Sequence, residues 1–363
     1  MTEHASDVPL EPLRRRIGDI SQVASAREVR LTDGNEDGVR AIDVRVAGGL
    51  SALVLADRGL DIGPAWVDGH PVAWQSTTGI VGPAHGDEAH WLRRFHGGLL
   101  TTCGLQNVGP PNIDAGVEHG IHGRVSGIPA RNVTHRVVAD GDRWAVEVAG
   151  ELRETDVFGV DLVLRRTLRF PMGEPLVEIH DEVANQGFGQ AGLMLLYHCN
   201  IGWPVVADGA VLLPPHATVV PRDTRAEAGL GVHRTFPGPV DGFEEQVFEH
   251  VLAEPRPARA SIAIANPAYA PSGGIAVAVE YDPAQLPHLW QWRMLAPGMY
   301  LTGLEPATCG ILGRAAERER GTIDWLAPGE RRSFDLTIRA FTGDAVTQLV
   351  AAHDAAAQGR AHR

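Results

Sequence analysis

The spacing of apolar positions changes about twenty residues into the chain. Leu10, Leu13, Ile17 and Ile20 recur at helical intervals, which predicts a short amphipathic helix or docking arm over residues 10–20. Beyond it the period falls to two. Segments 44–56, 160–170, 275–281 and 334–341 are short and rich in β-branched residues. In the last, Phe334, Leu336 and Ile338 alternate with Asp335, Thr337 and Arg339, as a strand with one buried face requires. Turn-forming stretches such as DGNEDG, DRGLDIG, ADGD, PMGEP and APGE separate these runs along the whole length. No βαβ rhythm appears, and no GxGxxG follows a strand. The pattern predicts a mainly β protein, a large antiparallel β-sandwich with short terminal helices. Residues 344–358 return to helical spacing, with Asp344 placed as a cap and Val346, Leu349 and Val350 on one face; the final GRAHR is expected to fray. The expected layout is an N-terminal arm over 1–27, one sandwich domain over 28–342, and a C-terminal helix and tail over 343–363. The arm would cover a sheet or contact another subunit.

Composition narrows the function. With 363 residues, 44% hydrophobic and 21% charged, the chain has material for a sizeable core. Apolar runs are too short to cross a bilayer, and the N-terminus lacks the basic-then-apolar layout of a secretory signal, so no membrane association and a cytoplasmic location are expected. A net charge of −13, from 45 acidic and 32 basic residues, argues against nucleic acid as a partner. Lysine is absent, so every basic residue counted is arginine. That excludes Schiff-base and lysine-linked pyridoxal chemistry and the phosphate-gripping lysine of a P-loop. Cys103, Cys199 and Cys309 form no CxxC pair and fit reduced thiols.

Four stretches carry reactive side chains that a plain sandwich does not need: RRFHGGLLTTCGLQN with His96, EHGIHGR with His119 and His122, LYHCNIGW with His198 and Asn200, and YLTGLEPATCGILGR with Glu305. Taken singly, each also fits a structural role: a histidine satisfied in a turn, a solvated Arg93–Arg94 pair, or glycines at bulges and corners. The order GGLLTTCGLQNVGPP, HGIHGRVSGIP, LLYHCNIGWP, YLTGLEPAT, LAPGERRSFDL resembles the aldose 1-epimerase superfamily over roughly residues 28 to 342, closest to an aldose 1-epimerase-like branch whose substrates are poorly defined.

The resemblance implies a galactose mutarotase-like β-supersandwich with a sugar cleft on one sheet face. It implies that His122 contacts the sugar, that His198 is the general acid toward the ring oxygen, and that Glu305 is the general base on the anomeric hydroxyl. Related sugar-phosphate mutarotases carry Arg-Gly-Gly where this chain has His96-Gly97-Gly98, which disfavours a phosphorylated substrate. Exchange of anomers moves one proton off O1 and one onto the ring oxygen, work for which a carboxylate and an imidazole suffice without cofactor or metal. The expected cleft contains His96, His122, His198 and Glu305, with binding contacts from Arg94, Asn200, Trp292 and His119. Trp74, Trp91, Trp203, Trp290 and Trp292 are candidates for stacking on a sugar face or for the core.

Two other functions stay open on the sequence. His96, His119, His122 and Glu305 would have to converge for a metal-dependent sugar isomerase or lyase. A non-catalytic carbohydrate-binding protein would need the cleft without the acid–base geometry.

Overall fold

The alternation in sequence becomes an alternation in burial. Along the Arg331–Thr342 strand, Phe334, Leu336, Ile338 and Ala340 are buried, while Asp335, Thr337 and Arg339 are half-buried on the other face. A computed structural model describes residues 10–82, 88–215 and 217–361; residues 1–9 of the expected arm and 362–363 of the expected tail lie outside them.

The fold is predominantly antiparallel β. An eight-stranded sheet has the order Val211–Leu213, Ala260–Asn266, Ile275–Tyr281, Arg331–Thr342, Leu176–Asn185, Asp161–Pro171, Arg143–Thr155, Arg131–Asp140. A seven-stranded sheet has the order Ala217–Pro221, Gln246–Leu252, His288–Ala296, Met299–Ala307, Ala191–Gly202, Asp324–Leu326, with Thr101–Leu105 also paired to Ala191–Gly202. Five strands from the N-terminal part, Ala24–Arg30 through His70–Pro71, form a further sheet. The largest apolar cluster joins all three and includes Ile42, Leu60, Leu164, Phe170, Tyr197 and Ile338. Burial of such side chains contributes about 1.5–3 kcal/mol each. A second cluster, with Trp74, Phe95, Met194, Leu196 and Trp290, sits on the other face of the seven-stranded sheet. That second layer carries the site.

Three sequence expectations are modified. Segment 44–56 is two strands, Arg40–Val46 and Leu50–Leu55, because Ala47-Gly48-Gly49 turns the chain, with Gly48 in the left-handed region at φ +62°. The N-terminal helix covers only Leu10–Arg14; Asp19, in extended conformation, then caps a separate 3-10 turn at Ile20–Gln22. The C-terminal helix runs further than expected, Asp344–Ala361. Among the described residues no helix is long and apolar enough to cross a membrane.

Candidate active site

Strand register brings the distant polar motifs together. Ala191–Gly202 pairs antiparallel with Met299–Ala307, matching Cys199 with Leu304 and Asn200 with Gly303, so His198 lies opposite Glu305. The next strand, His288–Ala296, sets Trp290 against Glu305 and Trp292 against Gly303. Residues two apart share a sheet face, so Trp290, Trp292, Glu305, His198 and Asn200 all project to one side. His198 Nε2 and Glu305 Oε1 are 3.2 Å apart, and both residues are about 95% buried, with exposures of 5% and 4%. The Glu305 carboxylate leans over Gly303, whose missing side chain leaves it room.

His122 arrives from a loop. It holds a left-handed backbone at φ +54°, uncommon for any residue but glycine and costing of order 1–3 kcal/mol. Surrounding hydrogen bonds hold this conformation: its N–H donates to Gly109 O at 3.0 Å, and its carbonyl accepts from Gly104 N at 2.9 Å. Nδ1 accepts from Gly109 N at 3.3 Å, which assigns the ring proton of the neutral form to Nε2. The His122 ring lies 6.1 Å from that of His198 and 4.8 Å from Trp91. These groups open into a cavity of about 460 Å³, within the range of small-molecule sites.

Burial dominates the electrostatics. Desolvation, with repulsion from Glu245, raises the Glu305 carboxyl from its ordinary range to about 8; Arg222 opposes the shift. Desolvation also drives the His198 imidazole far below its ordinary value, with the nearby His122 adding to the effect. His122 falls to about 4 for the same first reason. Near neutral pH the favoured state is therefore a protonated Glu305 facing an uncharged His198.

The expected site residues divide. His122, His198, Glu305 and Trp292 line the cavity, and Trp91 joins them. His96 does not. It is fully buried behind the Gly97-Gly98 turn, its ring nitrogens lack hydrogen-bond partners, and desolvation plus the cation of Arg58 lower it to about 3. Arg94 is turned away to a small crevice with Arg58, Ser126 and Gly127. Asn200 shares the face of His198 but is fully buried beneath the cavity, with Nδ2 donating to the His198 carbonyl at 2.9 Å. His119 lies half-buried in a different cavity beside Arg124, Glu154 and Phe158. Of the other tryptophans, Trp74 and Trp290 are buried in the layer around the site, and Trp203 is exposed elsewhere. Of the four residues a metal site would have needed, His122 and Glu305 share this cavity while His96 and His119 lie apart from it, and among the described residues no three His, Cys, Asp or Glu side chains come together as ligands.

Arg222 and Glu245 were not anticipated. Arg222 follows the Ala217–Pro221 strand, Glu245 precedes Gln246–Leu252, and the two join at 2.9 Å on the cavity wall. Trp292 Nε1 donates to Glu245 Oε2 at 3.0 Å, and Arg222 Nε to Asp223 Oδ2 at 2.9 Å. In sequence, VVPRDTR and DGFEEQ read as ordinary solvated turns, and only the pairing of their two strands shows otherwise.

The fold is that of the galactose mutarotase-like β-sandwich proteins. The chain belongs to the family described as a domain of unknown function (DUF4432), which matches residues 36–340. Among solved structures, a candidate aldose 1-epimerase from Klebsiella pneumoniae is similar with a TM-score of 0.84 at 25% identity, over 92% of this chain and 87% of that one. A galactose 1-epimerase from Lactobacillus acidophilus matches with a TM-score of 0.57 at 15% identity, over 88% of this chain and 99% of its own. A galactose mutarotase-like protein from Clostridium acetobutylicum gives 0.57 at 14%, with the same coverage of 88% and 99%. The last two likenesses concern the fold alone. No curated protein matches the sequence.

Proposed function

We propose that the protein is an isomerase that exchanges the anomers of a free sugar, with Glu305 and His198 as its acid–base pair and His122 as a sugar contact. The observation that carries this reading is the 3.2 Å approach of the two side chains on the floor of one cavity. A carboxyl near 8 facing a depressed imidazole holds a single proton at neutral pH. Moving that proton from Glu305 to His198 gives a carboxylate and an imidazolium with the same proton count. In that form Glu305 takes the proton from O1–H while His198 delivers one to the ring oxygen. The ring C1–O bond breaks as the C1 carbonyl forms. Rotation about C1–C2 presents the other carbonyl face, and the two transfers reverse to close the ring.

The likeness to aldose 1-epimerase structures supports the reaction class, and the buried pair supports catalysis over simple sugar binding. The test is exchange NMR or polarimetry on freshly dissolved α-anomers of a panel of aldoses. Acceleration over buffer for at least one aldose is expected; none for any member would refute the reading.

A further inference from the structure

Most hydroxyls of a buried aldose need a hydrogen-bonding partner, since an unpaired buried hydroxyl costs about 1–3 kcal/mol. The cavity offers few. Beyond the acid–base pair its polar side chains, among the described residues, are His122, Arg222 and Glu245, with the indole N–H groups of Trp91 and Trp292. Two of these are committed in part. Glu245 accepts from Arg222 at Oε1 and from Trp292 Nε1 at Oε2, and Arg222 spends Nη2 on Glu245 and Nε on Asp223. His122 Nδ1 already accepts from Gly109. Much of the remaining wall is carbon and sulfur, including Trp91, Phe95, Val247, Met294, Met299 and Ile311.

The apolar groups have a definite place relative to the chemistry. The His198 ring is met edge-on by Phe95 and by Trp292, each with ring centroids 5.3 Å away. On the reading in which His198 serves the ring oxygen, the neighbouring ring carbon is C5, and the exocyclic C6 group hangs from it. With C5 turned toward Phe95 and Trp292, C6 lies against this aromatic collar. A hydroxymethyl there would bury its hydroxyl against two ring systems, whereas a methyl fills the same space without that cost.

We infer that the substrate is a 6-deoxyaldose, its methyl group seated against Phe95 and Trp292 beside His198. The inference rests on the anomer-exchange reading. Its expected size follows from apolar discrimination: a hydrophobic pocket rejects an added hydroxyl by about 10²-fold at most, and a missing methyl changes specificity by about 10–200-fold.

The test uses the wild-type protein and matched trios: a hexose, its 6-deoxy form and the pentose of the same ring stereochemistry, in the galacto, gluco and manno series of both hands. Anomer exchange is followed by NMR and binding by saturation transfer. In the preferred series the 6-deoxy sugar should exceed the hexose in kcat/KM by about 10–10²-fold and the pentose by about tenfold. A hexose equal or superior to its 6-deoxy form in the preferred series overturns the inference and leaves anomer exchange standing. A superior pentose overturns the seat for the methyl. If no sugar exchanges, the reaction reading fails separately, and binding decides: tighter 6-deoxy binding supports the collar, while equal, weaker or absent binding overturns it.

Discussion

A methyl group added at Gly303 would collide with Oε1 of Glu305, because the carboxylate lies folded over that glycine on the same strand face. The backbone at Gly303 is not in the left-handed region, so alanine strains no dihedral there, and Trp292 Cβ, at 3.2 Å from the added methyl, has to yield by a few tenths of an ångström. Gly303→Ala should therefore fold and yet displace Glu305 from His198. A shift of about 1 Å in a reacting group costs on the order of 10²-fold, and that loss is expected in kcat/KM, with circular dichroism unchanged. A variant with parental activity would mean that the position of the carboxylate does not matter.

The pH profile follows from the single proton of the pair. With Glu305 raised to about 8 and His198 depressed, the one-proton form dominates from well below neutrality up to about pH 8. The exchange rate should be level through neutral pH and fall by about tenfold per unit beyond pH 8, once the pair has lost its proton. Rates measured from pH 6 to 10 decide this; a rate still rising between 8 and 10 would contradict the one-proton form.

Strand register explains what could be read in advance. The alternation of Phe334, Leu336 and Ile338 and the turn signals were legible because period and punctuation are local. The Glu305–His198 pairing was anticipated only through motif order, since the 3.2 Å approach depends on which strands become neighbours. His96 shows the limit most plainly. Its motif and spacing resemble those of a cleft histidine, but the Gly97-Gly98 turn buries it beyond the cavity's reach. The Arg222–Glu245 pair was hidden for the opposite reason, because two unremarkable turns meet only after Ala217–Pro221 and Gln246–Leu252 have paired.

A buried ionic network ties the sheets together beneath the site. Arg166 contacts Asp61 and Asp181, each at 2.7 Å and all fully buried; the hydroxyl of Tyr197, which precedes His198 in the chain, donates to Asp181 at 2.8 Å. Removing the guanidinium leaves two buried carboxylates without their cation. Arg166→Met should lower unfolding stability by about 3–5 kcal/mol in urea titrations. A loss below about 1 kcal/mol would show that the carboxylates take up protons without consequence.

His96 adds to a pH dependence of stability that it shares with the other buried, depressed histidines His122, His198 and His250. Its folded-state pKa of about 3 lies below the ordinary imidazole value of 6.5, so the unfolded chain binds the extra proton between those limits. The stabilisation this affords is present above pH 6.5 and is lost as pH falls toward 3. His96→Leu, similar in volume, should flatten the decline of Tm between pH 6.5 and 4 and leave activity at neutral pH within a few-fold of the parent. An unchanged slope would show that His96 does not contribute to it.

Glu305→Gln isolates the exchange of protons between Glu305 and the sugar. Glutamine preserves the shape over Gly303 and removes the titrating proton. Exchange NMR on the best aldose should show a rate lower by about 10²–10⁴-fold, with sugar binding by saturation transfer nearly unchanged. A Glu305→Gln protein that binds the sugar and exchanges its anomers at the parental rate would contradict the account.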